Sequence, residues 1–392
     1  MNTRLAAPGQ GLLVRRTKPV SPSKLGVFSL CPLRYVLETE NDGTGRLPYG
    51  LKALRGTAAH RVIEQLSERP HQTFQELREA FCSAVAQAVA RQDTNSLIRF
   101  AFQQLGVNAL FPAGEQASTC QFIRKVLARY VPGEAAAARP KDSPYSPRRA
   151  FAFGRERKLV SAALDMEGWV DLVYKDSAGT VHVCDFKTGN VLDASGEPKL
   201  AFLLQISCYG LLAKEMLGLD EAVLELVGPA SGWHGMLSGP HEIMARQAIA
   251  ALQVSLPKLE TVQGESLATP GSWCASCSVR PTCPAYIHAL EGSLAAENIL
   301  SPVDVAGTVT EILATAEFLR LRILTHSGKR VSLSGIPASI YPGLSRGMRI
   351  YGYSLGSYDV LARAAFPANF YLFRPDNPKG SAFSSLLTTE LS

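Results

Sequence analysis

The spacing of apolar and polar positions divides the chain into a helical part, a mixed part and a strand-rich part. Residues 21–38 open with Ser21-Pro22-Ser23, a helix-start signal, and run through Leu25, Phe28 and Leu30 into Cys31-Pro32. Amphipathic helices are predicted over 53–69, where Ala59, Val62, Ile63 and Leu66 share a side, and over 72–92 and 119–131. Residues 133–150, rich in Ala, Pro, Arg and Ser, read as a loop. From Phe151 the period shortens: Val160–Leu164, Gly168–Tyr174 and Thr180–Phe186 read as strands, with a turn at 175–179. A strongly apolar helix over Leu200–Leu217, a strand over Ala222–Val227 and a helix over Glu242–Leu259 follow. Together they describe an α/β core, a small mixed sheet flanked by helices.

Residues 291–302 have no strong pattern and read as a linker. Beyond them 303–315, 318–325, 330–333, 348–354 and 370–373 alternate as strands, with a helical turn near 338–344. Five such strands with one inserted helix predict an OB-like barrel. The expected organisation is a basic tail (1–20), a core domain (21–290), the linker, a barrel (303–374) and a flexible tail (375–392).

Charge changes this picture. The net charge of +6 conceals +10 in residues 1–150 (21 Lys and Arg against 11 Asp and Glu), −7 in 151–300 and +3 beyond. A basic third beside an acidic middle suits a polyanion-binding surface around a cation-binding centre. No apolar run long enough for a membrane span is evident, and the N-terminus has no apolar core, so a cytoplasmic location is expected.

The acidic middle holds the candidate chemistry. Gly168-x-x-Asp171 and Asp185-x-Lys187 place two carboxylates and a lysine at the ends of adjacent strands. Hard divalent cations take anionic oxygen ligands, and phosphodiester hydrolysis uses such a cation together with a nearby positive charge. His60 is a further ligand candidate, which makes Mn²⁺ as suitable as Mg²⁺; a structural role is the alternative. Glu64, one turn on, reads as an orienting partner of His60 or as helix surface. Gln205 and Tyr209 share a face of the apolar helix and are expected to position a phosphate, a water or Lys187.

Cys274-x2-Cys277-x5-Cys283-Pro284 is a compact set of three thiols, with Cys31, also followed by Pro, as the best fourth. Thiolates suit an iron–sulfur cluster or Zn²⁺. Cys82, Cys120, Cys184 and Cys208 lie in apolar runs and read as small buried hydrophobes.

Ser23-x-Leu25-x-x-Phe28-x-x-Cys31-Pro32-x-x-Tyr35, Gly56-x-x-x-His60, Gly168-x-x-Asp171, Asp185-x-Lys187, Gln205-x-x-x-Tyr209 and the Cys274 to Pro284 element occur in that order. This order resembles the RecB-like PD-(D/E)XK nucleases, in the iron–sulfur branch that includes CRISPR-adaptation and AddB-type nucleases. The resemblance implies a metal site of His60, Asp171, Asp185 and the Phe186 carbonyl, with Lys187 at the transition state and Gln205 and Tyr209 as the helix motif. It implies a 4Fe–4S cluster on Cys31, Cys274, Cys277 and Cys283. The expected activity is Mg²⁺- or Mn²⁺-dependent hydrolysis of single-stranded or end-containing DNA, exonucleolytic, in repair, recombination or phage defence. The alternative is a nucleic-acid-binding subunit of a larger complex, with a helicase or other partner, whose site is latent until the partner docks. No Gly-x4-Gly-Lys-Ser/Thr occurs, so no motor is expected in this chain. In the barrel, Tyr351, Tyr353, Arg320, Arg322, Lys329, Arg330 and Arg349 are candidates for gripping a single strand, and a protein-docking module is the alternative.

Overall fold

A computed structural model describes residues 19–40, 47, 51–67, 72–91, 99, 102–103, 106–130, 154–259, 264–292, 304–315, 318–338, 344–353, 356–357, 369–374, 377–384 and 386–388. The basic tail, the expected loop at 133–150 and the centre of the linker fall outside these residues.

The expected first helix is two. Ser21 caps α1 (Pro22–Leu30), its side chain accepting from the Lys24 N–H, with Pro22 at the first helical position. Cys31 is extended, and Pro32 starts α2 (Pro32–Glu40). A proline disfavours a helical residue before it, so the Cys31-Pro32 step breaks the helix. Helices α3 (Leu51–Leu66), α4 (Phe74–Ala90) and α5 (Ala113–Tyr130) follow. A reciprocal capping box between Thr73 and Glu76 starts α4.

The central sheet has five strands in sequential order: β1 (Gly154–Ser161), β2 (Met166–Lys175), β3 (Val181–Phe186), β4 (Val223–Val227) and β5 (Gly232–Met236). Only β3 and β4 are parallel, and α6 (Leu200–Leu217) makes the crossover between them. Residues 154–159 of β1 and all of β5 escaped the sequence pattern, and 162–164, expected as strand, form a turn. Arg and Lys in Gly154–Lys158 and the exposed positions of Gly232–Met236 hide an apolar face, as edge strands do. After β5 runs α7 (Gly239–Leu259).

Both faces of the sheet are covered. Val170, Val173, Val183, Leu224 and Leu226 pack with apolar residues of α1, α6 and α7. Leu172, Tyr174, Cys184, Phe186 and Val227 pack with those of α3, α4 and α5. Cys120, Cys184 and Cys208 are buried in these cores and Cys82 is partly buried, in line with their expected role. Helix α6 is long and apolar enough to span a membrane, with mean hydropathy 1.4, contrary to the sequence expectation. Half of it is buried against the sheet, α1 and α7, the setting of a core helix.

The C-terminal strands β6 (Val305–Ala314), β7 (Phe318–Thr325), β8 (Arg330–Pro337) and β9 (Arg349–Tyr353) lie near the expected positions. The sheet is larger than a five-stranded barrel. Strands β10 (Gly356–Ser357), β11 (Asn369–Arg374), β12 (Asn377–Ser384) and β13 (Leu386–Thr388) give the order β10-β13-β8-β7-β6-β9-β11-β12. Among the described residues its end strands β10 and β12 do not pair with each other, so the ladder does not close. Part of the expected flexible tail is strand. This sheet is tied to the chain before it by a buried ion pair of Arg280 with Asp304 at 2.6 Å, to which the Tyr286 hydroxyl donates at 2.7 Å.

Candidate active site

Strand β3 is buried at every residue, Asp185 included. A carboxylate there is costly unless it is paired or binds a cation. The Lys187 ammonium lies 2.7 Å from Asp185 Oδ2 and donates to Gln205 Oε1 at 3.0 Å. Lys187 also sits 5.0 Å from the centre of the Phe202 ring, so α6 holds this lysine from two sides. Asp185 Oδ2 is fully buried, and no donor is aligned on it as a hydrogen bond; the ion contact is one of proximity. Burial, with the neighbouring Asp171 charge, pushes the Asp185 carboxyl up against the opposing pull of Lys187.

Asp171 lies on β2. Its Oδ2 accepts the Phe186 N–H at 2.5 Å, and its Oδ1 is 3.2 Å from His60 Nδ1. His60 comes from α3, more than a hundred residues earlier in the chain. Its helix approaches closely at Gly56, where a Cβ would stand 3.3 Å from Thr188 Oγ1. Gly168 has a similar reason. A Cβ there would lie 2.7 Å from Pro22 Cδ and 2.9 Å from Tyr209 Cε1. Tyr209, almost fully buried, therefore packs on the strand that carries Asp171, while Gln205 reaches Lys187 directly.

The donor set fits a hard divalent cation: two carboxylates and an imidazole, with one buried oxygen lacking an aligned hydrogen bond. Among the described residues no three His, Cys, Asp or Glu side chains converge as a finished ligand group. His60 opens onto a cleft of about 890 Å³ lined also by Thr57, Arg61, Glu64 and Arg91. Glu64 thus lines the same cleft as His60.

The four cysteines fall in two adjoining groups, and among the described residues they do not converge as a ligand group for a metal or cluster. Cys31 and Cys277 are buried in a small cluster with Leu33, Leu37 and Val279, against which Cys283 packs. Cys283 also borders a second cluster with Cys274, Tyr286 and Tyr353. Burial pushes the Cys283 thiol up to about 12.

Sequence reasoning missed the buried network behind β3. Glu225 of β4 accepts from the hydroxyls of Tyr174 at 2.6 Å and Tyr130 at 2.7 Å. His182 Nδ1 lies 2.6 Å from the same carboxylate, and Arg129 pairs with it at 3.1 Å. The available signal was a lone Glu inside the apolar run Val223-Leu224-Glu225-Leu226-Val227. The barrel candidates fare differently. Tyr353 is buried beneath Arg280, and Tyr351 and Arg349 both engage Glu291, so these three are occupied within the protein. Arg322 pairs with Glu311, whereas Arg320, Lys329 and Arg330 are exposed.

These features agree with the family comparison. Residues 19–284 match the PD-(D/E)XK nuclease superfamily, and the chain belongs to it. No curated protein matches the chain. Solved structures similar to parts of it include the following two. One, titled SSO0001, is 13% identical with a TM-score of 0.26, over 54% of this chain and 94% of its own. The other, a candidate exonuclease from Eubacterium rectale, is 8% identical with a TM-score of 0.24, over 57% and 86%. Likenesses that distant add no weight beyond the family match.

Proposed function

We propose that this protein is a metal-dependent deoxyribonuclease that acts on single-stranded or end-containing DNA as an exonuclease. The observation that carries the reading is the pair His60–Asp171 together with the buried Asp185, whose neighbour Lys187 is held by Gln205. His60, Asp171, Asp185 and the Phe186 carbonyl would hold Mg²⁺ or Mn²⁺. When bound, that cation lowers the pKa of a water and offsets charge on the phosphodiester.

The chain's own groups do the rest. Asp171 fixes the end of β3 by accepting the Phe186 N–H, which keeps Asp185 and Lys187 in register with it. Gln205 aims the Lys187 ammonium so that its charge faces the phosphate as negative charge develops. Tyr209 supports the strand under Asp171 through its contact at Gly168. Arg61 and Arg91 line the cleft beside His60 and supply positive charge for a strand lying in it.

Cys31, Cys274, Cys277 and Cys283 would hold a 4Fe–4S cluster that ties α1 and α2 to the chain after α7. Cys283, which borders both the Cys31–Cys277 group and the one with Cys274, supports this, and a colourless zinc protein is the opposite outcome. A helicase or another subunit of a repair or defence complex would supply the DNA end. Cleavage of linear and circular, single- and double-stranded DNA with Mg²⁺ or Mn²⁺ tests the reading. Wild type should degrade linear single strands and Asp185→Ala should not. Equal degradation by both would place the chemistry elsewhere.

A further inference from the structure

A second, smaller cavity lies just past the catalytic strand. It measures about 230 Å³ and is lined in part by Arg55, Phe122, Thr188, Gly189, Asn190 and Pro229. We propose that it is a phosphate subsite, which holds the phosphate of a nucleic-acid strand next to the one being cut. The proposal rests on the nuclease reading above.

Position is the first argument. Thr188 follows Lys187 directly, so the cavity begins about 4 Å along the backbone from the catalytic lysine. The close contact of Gly56 with Thr188 stands between the two spaces: Gly56 lines the large cleft and Thr188 the small cavity. A strand following α3 from Arg61 past His60 meets this cavity next. At that size it takes a small group, below the range of pockets that hold whole cofactors.

Donors are the second argument. Arg55 Nε is buried and has no acceptor among the described residues. Its Nη2 makes only a long contact to the Thr188 carbonyl at 3.4 Å. Its Nη1 pairs at 3.2 Å with Glu115, a half-exposed carboxylate. Such a surface pair is worth little and yields to a better anion. Among the described residues the backbone N–H groups of Thr188, Gly189 and Asn190 have no intramolecular acceptor. The Asn190 side-chain oxygen accepts from Ser231 Oγ at 2.7 Å and the Leu192 N–H at 3.3 Å, which leaves its amide N–H groups as donors. Successive free backbone N–H groups beside a guanidinium make an anion-binding concavity.

Charge is the third. Lys199 donates to the Asn190 carbonyl at 2.8 Å, and Lys125 reaches the Gly228 and Pro229 carbonyls at 3.4 and 3.5 Å. Arg55 thus lines the cavity, and two lysines bond to backbone carbonyls of residues at or beside its wall. Phe122 and Pro229 form apolar wall, where charge-assisted hydrogen bonds gain strength.

The test uses the full chain carrying Asp185→Ala, without divalent metal, so that binding is read apart from cutting. Fluorescent single-stranded oligonucleotides with 5′-phosphate, 3′-phosphate or hydroxyl ends are titrated by anisotropy at several salt concentrations. Arg55→Ala should weaken binding about tenfold, as expected for lost hydrogen bonds to a charged group. It should also lower the salt slope by about 0.7, one phosphate contact on a single strand. Glu115→Gln frees Arg55 and should tighten binding about twofold. A loss confined to phosphorylated ends assigns a terminal phosphate, and a loss with every oligonucleotide assigns an internal one. The proposal is overturned if Arg55→Ala binds as tightly with an unchanged slope, if Glu115→Gln weakens binding, or if no oligonucleotide binds. Cutting by this Asp185→Ala protein when Mn²⁺ is added would instead refute the active site.

Discussion

Protonating or neutralising Glu225 should loosen the sheet that carries the site. Glu225 is buried, yet the hydrogen bonds from His182, Tyr174 and Tyr130 outweigh that burial and hold its carboxyl down to about 2, against an ordinary 4.5. That difference is worth about 3 kcal/mol, at roughly 1.4 kcal/mol per tenfold change in proton affinity. The group's folded pKa is depressed, so its stabilisation is complete above about 4.5. It is lost as pH falls from about 4.5 toward 2. Urea midpoints of wild type and Glu225→Gln, taken at pH 7 and at pH 3, measure it. Wild type should lose stability on acidification, and Glu225→Gln should start lower at pH 7 and change by about 2 kcal/mol less between the two, since pH 3 still lies above the folded pKa. Parallel pH curves for the two proteins would show that the network does not hold Glu225 charged, and the reasoning would fail.

Three further outcomes follow from particular contacts. Gly168→Ala puts a methyl against Pro22 and Tyr209, so it should cost about 1–3 kcal/mol in a urea titration and reduce cleavage by displacing Asp171. A smaller residue at Tyr209 should recover part of both. Arg280→Ala strands the fully buried Asp304, and should destabilise the second sheet by about 3–5 kcal/mol, read by hydrogen exchange over β6 and β9. Protein purified without oxygen should absorb in the visible and contain iron, and Cys31→Ser should lose both colour and stability.

Much of the candidate site could be read in the sequence because its residue types are expensive where they stand. Asp185 lies between Cys184 and Phe186, and only a cation or a charged partner makes that tolerable. Gly168 stood in the sequence only as part of Gly168-x-x-Asp171; that Pro22 and Tyr209 approach it is a long-range fact that local pattern does not contain. The helices of the core were legible for the same reason: their apolar faces repeat over many turns. Edge strands were less so. Strand β5 alternates around Gly232, Trp233 and Gly235, and Gly154–Lys158 is mostly charged, so pairing with β4 and β2 decides their conformation. The C-terminal sheet shows the limit most clearly. Its first strands alternate visibly, but strand order and closure depend on pairings such as β13 with β8, between segments some fifty residues apart. Glu225 was passed over because its partners, Tyr130, Tyr174 and His182, lie on three other elements.

The central claim is that Asp171, Asp185 and His60 form one cation site. Mn²⁺ binding to the full-length protein, followed by electron paramagnetic resonance, tests it most directly. Wild type should show a saturable site, lost in Asp185→Ala and Asp171→Ala and weakened in His60→Ala, with Lys187→Ala still binding the ion. Unchanged Mn²⁺ binding in both aspartate variants would contradict the account.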